Sequence, residues 1–148
     1  MSTRWLARTF CLVPDRRPAL GILDTSVIID LEHIEPSQLP IEVAVSAITM
    51  AELAAGPHAT SDPEERARRQ DRLQRAEAAF DPLPFDAEAA RAYGRIYASV
   101  AAAGRKARGA RAIDLLLAAV ACAAGLPLYT RNPDDFRGIG DLVEIVAV

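Results

Sequence analysis

Short apolar runs alternate with longer helical patterns along most of this chain. Four of the runs have the length of strands and end at polar or turn-forming residues: Leu20–Leu23, Glu42–Val45, Leu128–Thr130 and residues 142–146. Helical patterns fill the intervals between them. Strands that alternate with helices pair in parallel and bury both faces of their sheet. The pattern therefore predicts an α/β fold with a central parallel sheet flanked by helices on both faces.

Capping residues and glycine or proline stops delimit the helices. The predicted helices are a short one after Asp24, then 47–55, 63 to about 80, 86 to about 104, and 113–124. In the last of them, apolar residues recur at i, i+3, i+4, i+7, i+8 and i+11 from Ile113, which gives the helix one broad apolar face. Gly125 and Pro127 end that helix.

Four acidic residues fall where such a sheet binds ligands. Asp24 directly follows the first strand, and Asp135 lies five residues after Thr130, at the end of a later strand. Glu52 and Asp114 lie in helices, and we expect the positive end of the helix dipole to help keep Asp114 ionised. Open parallel sheets bind ligands beyond the carboxyl ends of their strands. We therefore expect the four carboxylates to meet at one edge of the sheet.

Four neighbouring carboxylates indicate a divalent metal site. They repel one another and stay ionised only if positive charge lies among them. Mg²⁺ and Mn²⁺ prefer carboxylate and water oxygens, and one or two such ions can activate water and stabilise an in-line phosphoryl displacement. This chemistry hydrolyses phosphodiester bonds without a histidine, cysteine or serine nucleophile.

Each acid taken alone also has a structural interpretation. Asp24 fits a helix N-cap, and Glu52 fits the last residue of a capping box that begins at Thr49. Asp114 fits a first-turn acid, and Asp135 fits an ordinary turn aspartate. The metal site is favoured by the combination of the four rather than by any one of them.

Four segments resemble the motifs of PIN-domain nucleases, and most of all those of the VapC toxins of bacterial toxin–antitoxin pairs. They are LDTSVII at 23–29, SAITMAEL at 46–53, IDLLLAA at 113–119 and TRNPDDF at 130–136, and their order and spacing match the family over about residues 20–148. The resemblance implies a PIN fold and an endoribonuclease that depends on Mg²⁺ or Mn²⁺. It also implies homodimers and neutralisation by a VapB-like antitoxin.

The resemblance assigns roles to individual residues. It places Asp24, Glu52, Asp114 and Asp135 at the family's four acidic positions, with Thr25, Ser26, Thr130 and Asn132 at the polar positions that support them. Asp134 is the alternative to Asp135, but the family pattern places the acid directly before the phenylalanine. Members of the family begin close to the first strand. Residues 19–148 are accordingly assigned to the PIN domain, and residues 1–18 to an N-terminal extension whose pattern indicates no role.

One basic cluster directly precedes Asp114 and contains no interleaved acid. It consists of Arg105, Lys106, Arg108 and Arg111. These side chains are candidate contacts for RNA phosphates, and a plain solvated loop is the alternative. The net charge of −3 does not exclude RNA, because removing the four site carboxylates leaves the rest of the chain at +1.

A second basic segment is the arginine-rich helix that begins near residue 63. Its arginines are interleaved with acids at i,i+4 spacing, as in Glu64–Arg68, Glu65–Arg69 and Asp71–Arg75. Such pairs are typical of a solvated helix with salt bridges on its surface. We interpret this segment as structural.

Composition favours a cytoplasmic globular protein. Apolar residues make up 51% of the 148 and charged residues 25%, which is ordinary for one domain. Two cysteines, Cys11 and Cys122, provide neither a disulfide framework nor a zinc site. The apolar run at 115–124 is too short to span a bilayer, and charged residues interrupt the apolar runs near the N-terminus, where a signal peptide would lie.

Two other classes of protein are alternatives to the metal-dependent ribonuclease. A phosphatase of the haloacid dehalogenase type also has an aspartate after its first strand, but it needs a second aspartate where this chain has Ser26. A non-catalytic PIN-like module for RNA binding or protein interaction is the second rival. Such a module gains nothing from clustered negative charge that faces phosphates.

Overall fold

In the computed structural model, which describes residues 17–148, four parallel strands form one sheet. The strands are β1 (Leu20–Leu23), β2 (Glu42–Val45), β3 (Leu128–Thr130) and β4 (Ile145–Ala147), and their order across the sheet is β2-β1-β3-β4. The carboxyl ends of β1 and β3 therefore lie side by side at the centre. Most of the predicted N-terminal extension, residues 1–16, lies outside the described residues.

Five α-helices connect the strands. They are α1 (Thr25–Ile29), α2 (Ala47–Ala55), α3 (Pro63–Ala79), α4 (Ala87–Ala102) and α5 (Ala110–Ala124). Side chains of Ser46, Asp62 and Asp86 cap α2, α3 and α4 by accepting hydrogen bonds from amides in the first turn. Within residues 17–148, no helix is both long and apolar enough to cross a bilayer.

Helices cover both faces of the sheet, as the sequence predicts. Successive residues of a strand point to opposite faces. Ile22 and Leu128 accordingly join a buried cluster with α4 and α5, whereas Leu23 and Tyr129 join a second cluster that includes residues of α1, α2 and α3. The two central strands are thus packed on both faces, and the residues at their carboxyl ends are attached to rigid elements.

The close packing of β1 on β3 depends on a glycine. A Cβ atom on Gly21 would lie 2.5 Å from Cε2 of Tyr129, whose side chain is buried. Any larger residue at position 21 would have to displace that ring.

The structure corrects two predicted boundaries. The last strand was predicted at 142–146 but is Ile145–Ala147, because the amides of Leu142 and Val143 bond to the carbonyl of Ile139 in a turn. The last helix begins at Ala110, three residues before the predicted start. Asp114 therefore lies beyond the first turn, and our expectation that the helix dipole helps to keep it ionised is wrong.

Candidate active site

Asp24 lies at the carboxyl end of β1, in the N-cap position of α1, but its side chain caps no amide. Its Oδ2 instead accepts hydrogen bonds from Thr130 Oγ1 at 2.7 Å and Ser26 Oγ at 2.9 Å. The residue is only 5% exposed. Within residues 17–148 no hydrogen bond reaches Oδ1. The N-cap interpretation of this side chain is therefore wrong, and one carboxylate oxygen is available to a ligand.

The two hydroxyls that hold Asp24 are themselves oriented by backbone amides. Thr130 Oγ1 accepts from the amide of Asn132 at 3.0 Å, and Ser26 Oγ accepts from the amide of Arg131 at 3.1 Å. Each hydroxyl has one proton, so accepting from an amide leaves that proton for the carboxylate. Asn132, predicted to support the acids, thus contributes through its backbone.

Glu52 extends from α2 toward α1 and does not fold back onto its own helix. Its Oε1 accepts a hydrogen bond from Thr25 Oγ1 at 2.6 Å. The N-cap of α2 is Ser46, whose Oγ accepts from the Thr49 amide at 3.0 Å, so the predicted capping box from Thr49 to Glu52 is wrong. The hydrogen bond from Thr25 directs the Glu52 carboxylate toward α1, away from the start of its own helix.

Buried hydroxyls extend this contact in a way that the sequence motifs did not reveal. Thr25 Oγ1 lies 3.1 Å from Thr49 Oγ1, which is 3.4 Å from Ser46 Oγ, and the Ser46 and Thr49 residues are fully buried. The chain of hydroxyls runs from the start of α2 to the Glu52 carboxylate and orders it. A serine three residues before a threonine, directly after a strand, is the signal that could have indicated it.

The pKa of Asp114 depends on the charges of the other three acids. Its pKa is raised from 3.8 to about 7, first by burial and then by the negative charges of Asp24, Asp135 and Glu52, while Arg111 opposes the shift. The pKa of Glu52 is also raised, by burial and by Asp24, against a lowering effect of the hydrogen bond from Thr25. Asp114 therefore lies within electrostatic reach of the other three predicted acids, and Glu52 lies within reach of Asp24.

Asp135 occupies the short 3-10 helix Pro133–Phe136, directly after β3. Its amide donates to the carbonyl of Asn132 at 3.1 Å, and its negative charge reaches Asp114. The neighbouring Asp134 points to solvent and pairs with Arg137 at 2.8 Å. The surroundings favour Asp135 over Asp134 as the fourth acid.

The donor set fits a divalent cation that keeps part of its water shell. Across residues 17–148, no three histidine, cysteine, aspartate or glutamate side chains come together as a ready-made metal cage. Mg²⁺ does not require one, because it usually retains several waters and binds directly to one or two carboxylates. Oδ1 of Asp24 and the mutual repulsion at Asp114 both favour positive charge between these groups.

The four residues of the predicted basic cluster have different surroundings in the structure. Arg105 donates hydrogen bonds to the carbonyls of Asp134 and Arg137 at 3.1 to 3.2 Å, which ties the α4–α5 connection to the segment after β3. Lys106 and Arg108 are exposed and line a pocket of about 340 Å³ beside Tyr97. Arg111 lies close enough to Asp114 to lower its pKa.

Comparison with known proteins defines the class. The sequence profile of the PIN domain matches residues 21–142. The chain is 38% identical to Ribonuclease VapC5 of Mycobacterium tuberculosis over 136 residues, which cover 88% of this chain and 97% of that protein. The chain therefore belongs to the PIN-domain family. Within that family it is a homologue of the VapC ribonucleases.

Solved structures agree with this assignment. The crystal structure of VapBC-5, a member of the VapBC family of toxin–antitoxin systems from Mycobacterium tuberculosis, matches with a TM-score of 0.78 and 38% identity, covering 88% of this chain and all of the matched chain. DNA-bound VapBC from Salmonella typhimurium matches with a TM-score of 0.67 and 25% identity, covering 86% and 96%. The PIN fold predicted from the four motifs is thereby confirmed.

Proposed function

We propose that this chain is an endoribonuclease that hydrolyses RNA phosphodiester bonds with Mg²⁺ or Mn²⁺ held by Asp24, Glu52, Asp114 and Asp135. The observation that carries the proposal is the position of Asp114, whose pKa is raised by burial and by the charges of three acids from other segments, Asp24, Asp135 and Glu52. Burying like charges together is costly and has no structural benefit here. A bound divalent cation would offset this repulsion, and a reaction that depends on the cation would account for the four acids.

Hydrogen bonds from neighbouring hydroxyls fix the directions of two of the four carboxylates. Ser26 and Thr130 orient Asp24 by hydrogen bonds to Oδ2, and Thr25 orients Glu52. A divalent ion at these carboxylates would lower the pKa of water and stabilise negative charge on the phosphodiester. Asp114 and Asp135 add negative charge to the region that would hold the ion.

RNA needs positive charge beside this negative centre. Exposed Lys106 and Arg108 line the pocket on the α4–α5 connection, which Arg105 anchors to the carbonyl of Asp134, next to Asp135. We propose that Lys106, Arg108 and Arg111 contact RNA phosphates on this side. Arg105 is assigned a mainly structural role, because its guanidinium is occupied by carbonyl oxygens.

We further propose that the chain is the toxin of a toxin–antitoxin pair, acts as a homodimer in the cytoplasm and is neutralised by a VapB-like protein. The similarity to VapC5 and to VapBC structures supports this partner. A basic side chain of the antitoxin entering the acidic site would inhibit without unfolding the protein, because it would occupy the place of the metal.

Purified wild-type protein tests the activity. It should cut RNA in Mg²⁺ or Mn²⁺, fail to cut in EDTA, and recover when metal is restored. Expression in cells should arrest growth, and co-expression of the antitoxin should relieve the arrest. RNA that stays intact in both metals would leave the non-catalytic module as the better interpretation.

A further inference from the structure

Helix α3 carries five arginines, and four of them contact other groups of the described chain through hydrogen bonds or ion pairs. Arg66 donates to the carbonyls of Pro57 and Thr60, and Arg75 pairs with Asp71 at 2.9 Å. Arg68 and Arg69 both pair with Glu65, so the predicted Glu64–Arg68 pair is wrong. Within residues 17–148 no hydrogen bond or ion pair engages the remaining arginine, Arg72.

The sequence explains why Arg72 has no partner on its own helix. Residues three and four positions away are its neighbours on a helix surface, and here they are Arg68, Arg69, Arg75 and Ala76. None of these four side chains can neutralise Arg72. Arg72 is partly buried, and its charge favours an anion from outside the helix.

Arg72 lies on the wall of a pocket that reaches the acidic site. The pocket has a volume of about 330 Å³ and is lined by Thr25, Ile29, Glu52, Leu53, Gly56, Glu65, Arg69 and Arg72. Thr25 and Glu52 form its contact with the site, and no ion pair within 4.0 Å joins Glu52 to Arg72. Open space for a ligand thus separates the carboxylate from the guanidinium.

The other two charged residues of the pocket lining, Glu65 and Arg69, are paired with each other. Glu65 accepts hydrogen bonds from Arg68 and Arg69, and Arg69 also donates to the carbonyl of Gly56 at 3.0 Å. Glu52 and Arg72 then remain as the two charges that a ligand would meet. With a cation at Glu52, as the proposed function requires, the pocket attracts anions at both ends.

The remaining lining is apolar. Ile29 is 47% exposed although it is a large aliphatic residue, and Leu53 lies beside it in the pocket wall. A cavity of this size is at the lower end of those that hold small organic ligands. The pocket thus suits a ligand with an anionic group that bonds to Arg72 and a flat or apolar group that packs against Ile29. A nucleotide splayed out of a single strand has both parts, its phosphate and its base.

We propose that this pocket is a subsite for one nucleotide of single-stranded RNA beside the scissile phosphate, with Arg72 bonded to the phosphate of that nucleotide. The inference rests on the proposed function and adds a second RNA-binding side to it. RNA would cross the acidic site between Arg72 at the Glu52 end and the basic connection at the Asp135 end. A guanidinium suits this role because it binds phosphate through two parallel hydrogen bonds.

Binding of RNA to paired variants tests the subsite. All proteins carry Asp24→Asn so that the RNA stays intact, and the probe is a fluorescein-labelled single-stranded RNA of mixed sequence, followed by anisotropy in Mg²⁺. Arg72→Gln should weaken binding roughly tenfold, as expected for one hydrogen-bonded charge, and should reduce the slope of log K against log salt by about 0.7. The matched control is Arg75→Gln, which removes the same charge from the same helix outside the pocket and should bind like the parent.

Arg72→Lys keeps the charge and should recover part of the affinity, which also guards against misfolding of the glutamine variant. Equal affinities for Arg72→Gln and Arg75→Gln would overturn the subsite. Normal RNA binding by Arg72→Gln together with lost binding of the antitoxin would assign the pocket to the protein partner and overturn it too. Failure of the proposed function would be seen separately, as RNA left intact by the wild-type protein in metal.

Discussion

Thr130 Oγ1 donates a hydrogen bond to Oδ2 of Asp24 at 2.7 Å, joining residues 106 positions apart. The bond is buried and spans the carboxyl ends of β1 and β3, the two central strands. Because the amide of Asn132 fixes the threonine hydroxyl, the direction of the carboxylate follows from the register of the sheet. The sheet, with the two backbone amides that directly follow β3, therefore positions the proposed metal ligand.

Thr130→Val should test this support. The isosteric change removes the bond to Asp24 and leaves the amide of Asn132 without its acceptor, so we expect a loss of about 1–3 kcal/mol in the free energy of unfolding. Mn²⁺ affinity should fall by roughly tenfold or more, as is usual when an outer-shell partner of a ligand is lost. Urea denaturation and calorimetric titration measure the two effects. Thr130→Ser keeps the hydroxyl and is the control. Unchanged Mn²⁺ affinity in the valine variant would contradict the support role.

Asp114→Asn should stabilise the protein in EDTA at alkaline pH. The variant removes a charge that is repelled by Asp24, Asp135 and Glu52, and relief of about 1–2 kcal/mol corresponds to roughly 3–6 °C in Tm. In Mn²⁺ the order should reverse, because the wild type gains stability from a ligand that the variant binds less well. An asparagine variant that melts below the wild type in EDTA at pH 8 would contradict the repulsion.

The effect should depend on pH in a defined direction. The folded state raises the pKa of Asp114 from 3.8 to about 7, so it binds this proton more tightly than the unfolded chain does. The contribution of Asp114 to stability is therefore most favourable at acid pH, declines as pH rises from about 4 to about 7, and is fully unfavourable above that range. The Tm difference between Asp114→Asn and wild type should accordingly vanish near the acid end of the range. Melting curves in EDTA across the range measure it, and a difference that grows toward acid pH would contradict the shift.

Arg108→Ala and Arg105→Gln should have different consequences. Exposed Arg108 is a proposed phosphate contact, so its loss should weaken RNA binding severalfold and leave Tm unchanged. It should also reduce the slope of log K against log salt by about 0.7. Arg105 bonds to the carbonyls of Asp134 and Arg137, so its loss should lower Tm by several degrees. Anisotropy and melting curves separate the two. Equal effects of both variants on RNA binding and Tm would show that the cluster is not divided in this way.

Much of the fold could be predicted because local signals agreed with the tertiary structure. The bounds of β1, β2, α2 and β3 coincide with those read from the sequence, and Asp62 and Asp86 cap the helices that they were expected to open. Those boundaries depend on a polar or glycine residue next to an apolar run, which is a property of the sequence alone.

The errors arose where two local patterns competed. Ser46 and Thr49 each have the spacing of a capping residue, and only the end of β2 decides that Ser46 begins the helix. Apolar periodicity gave no signal for residues 110–112, so the sequence did not reveal that α5 begins at Ala110, directly after Gly109 with its φ of 67°. The repulsion at Asp114 likewise depends on contacts between distant segments and could not be read from its own helix.

Cleavage of RNA by the Asp24→Asn protein is the most direct test of the central claim. Asparagine is nearly isosteric, and its side-chain oxygen can still accept the hydrogen bonds from Ser26 and Thr130, so the variant should fold. Relief of the repulsion between Asp24 and the Asp114 and Glu52 carboxylates should place its Tm in EDTA at or above that of the wild type. The variant lacks the negative charge that the proposed metal site requires, so cleavage in Mg²⁺ or Mn²⁺ should fall by at least about a hundredfold, the scale on which one well-placed electrostatic group contributes to catalysis. Because it is purified in the same way, it also controls for contaminating ribonuclease. A folded Asp24→Asn protein that cuts RNA at the wild-type rate would contradict the nuclease site.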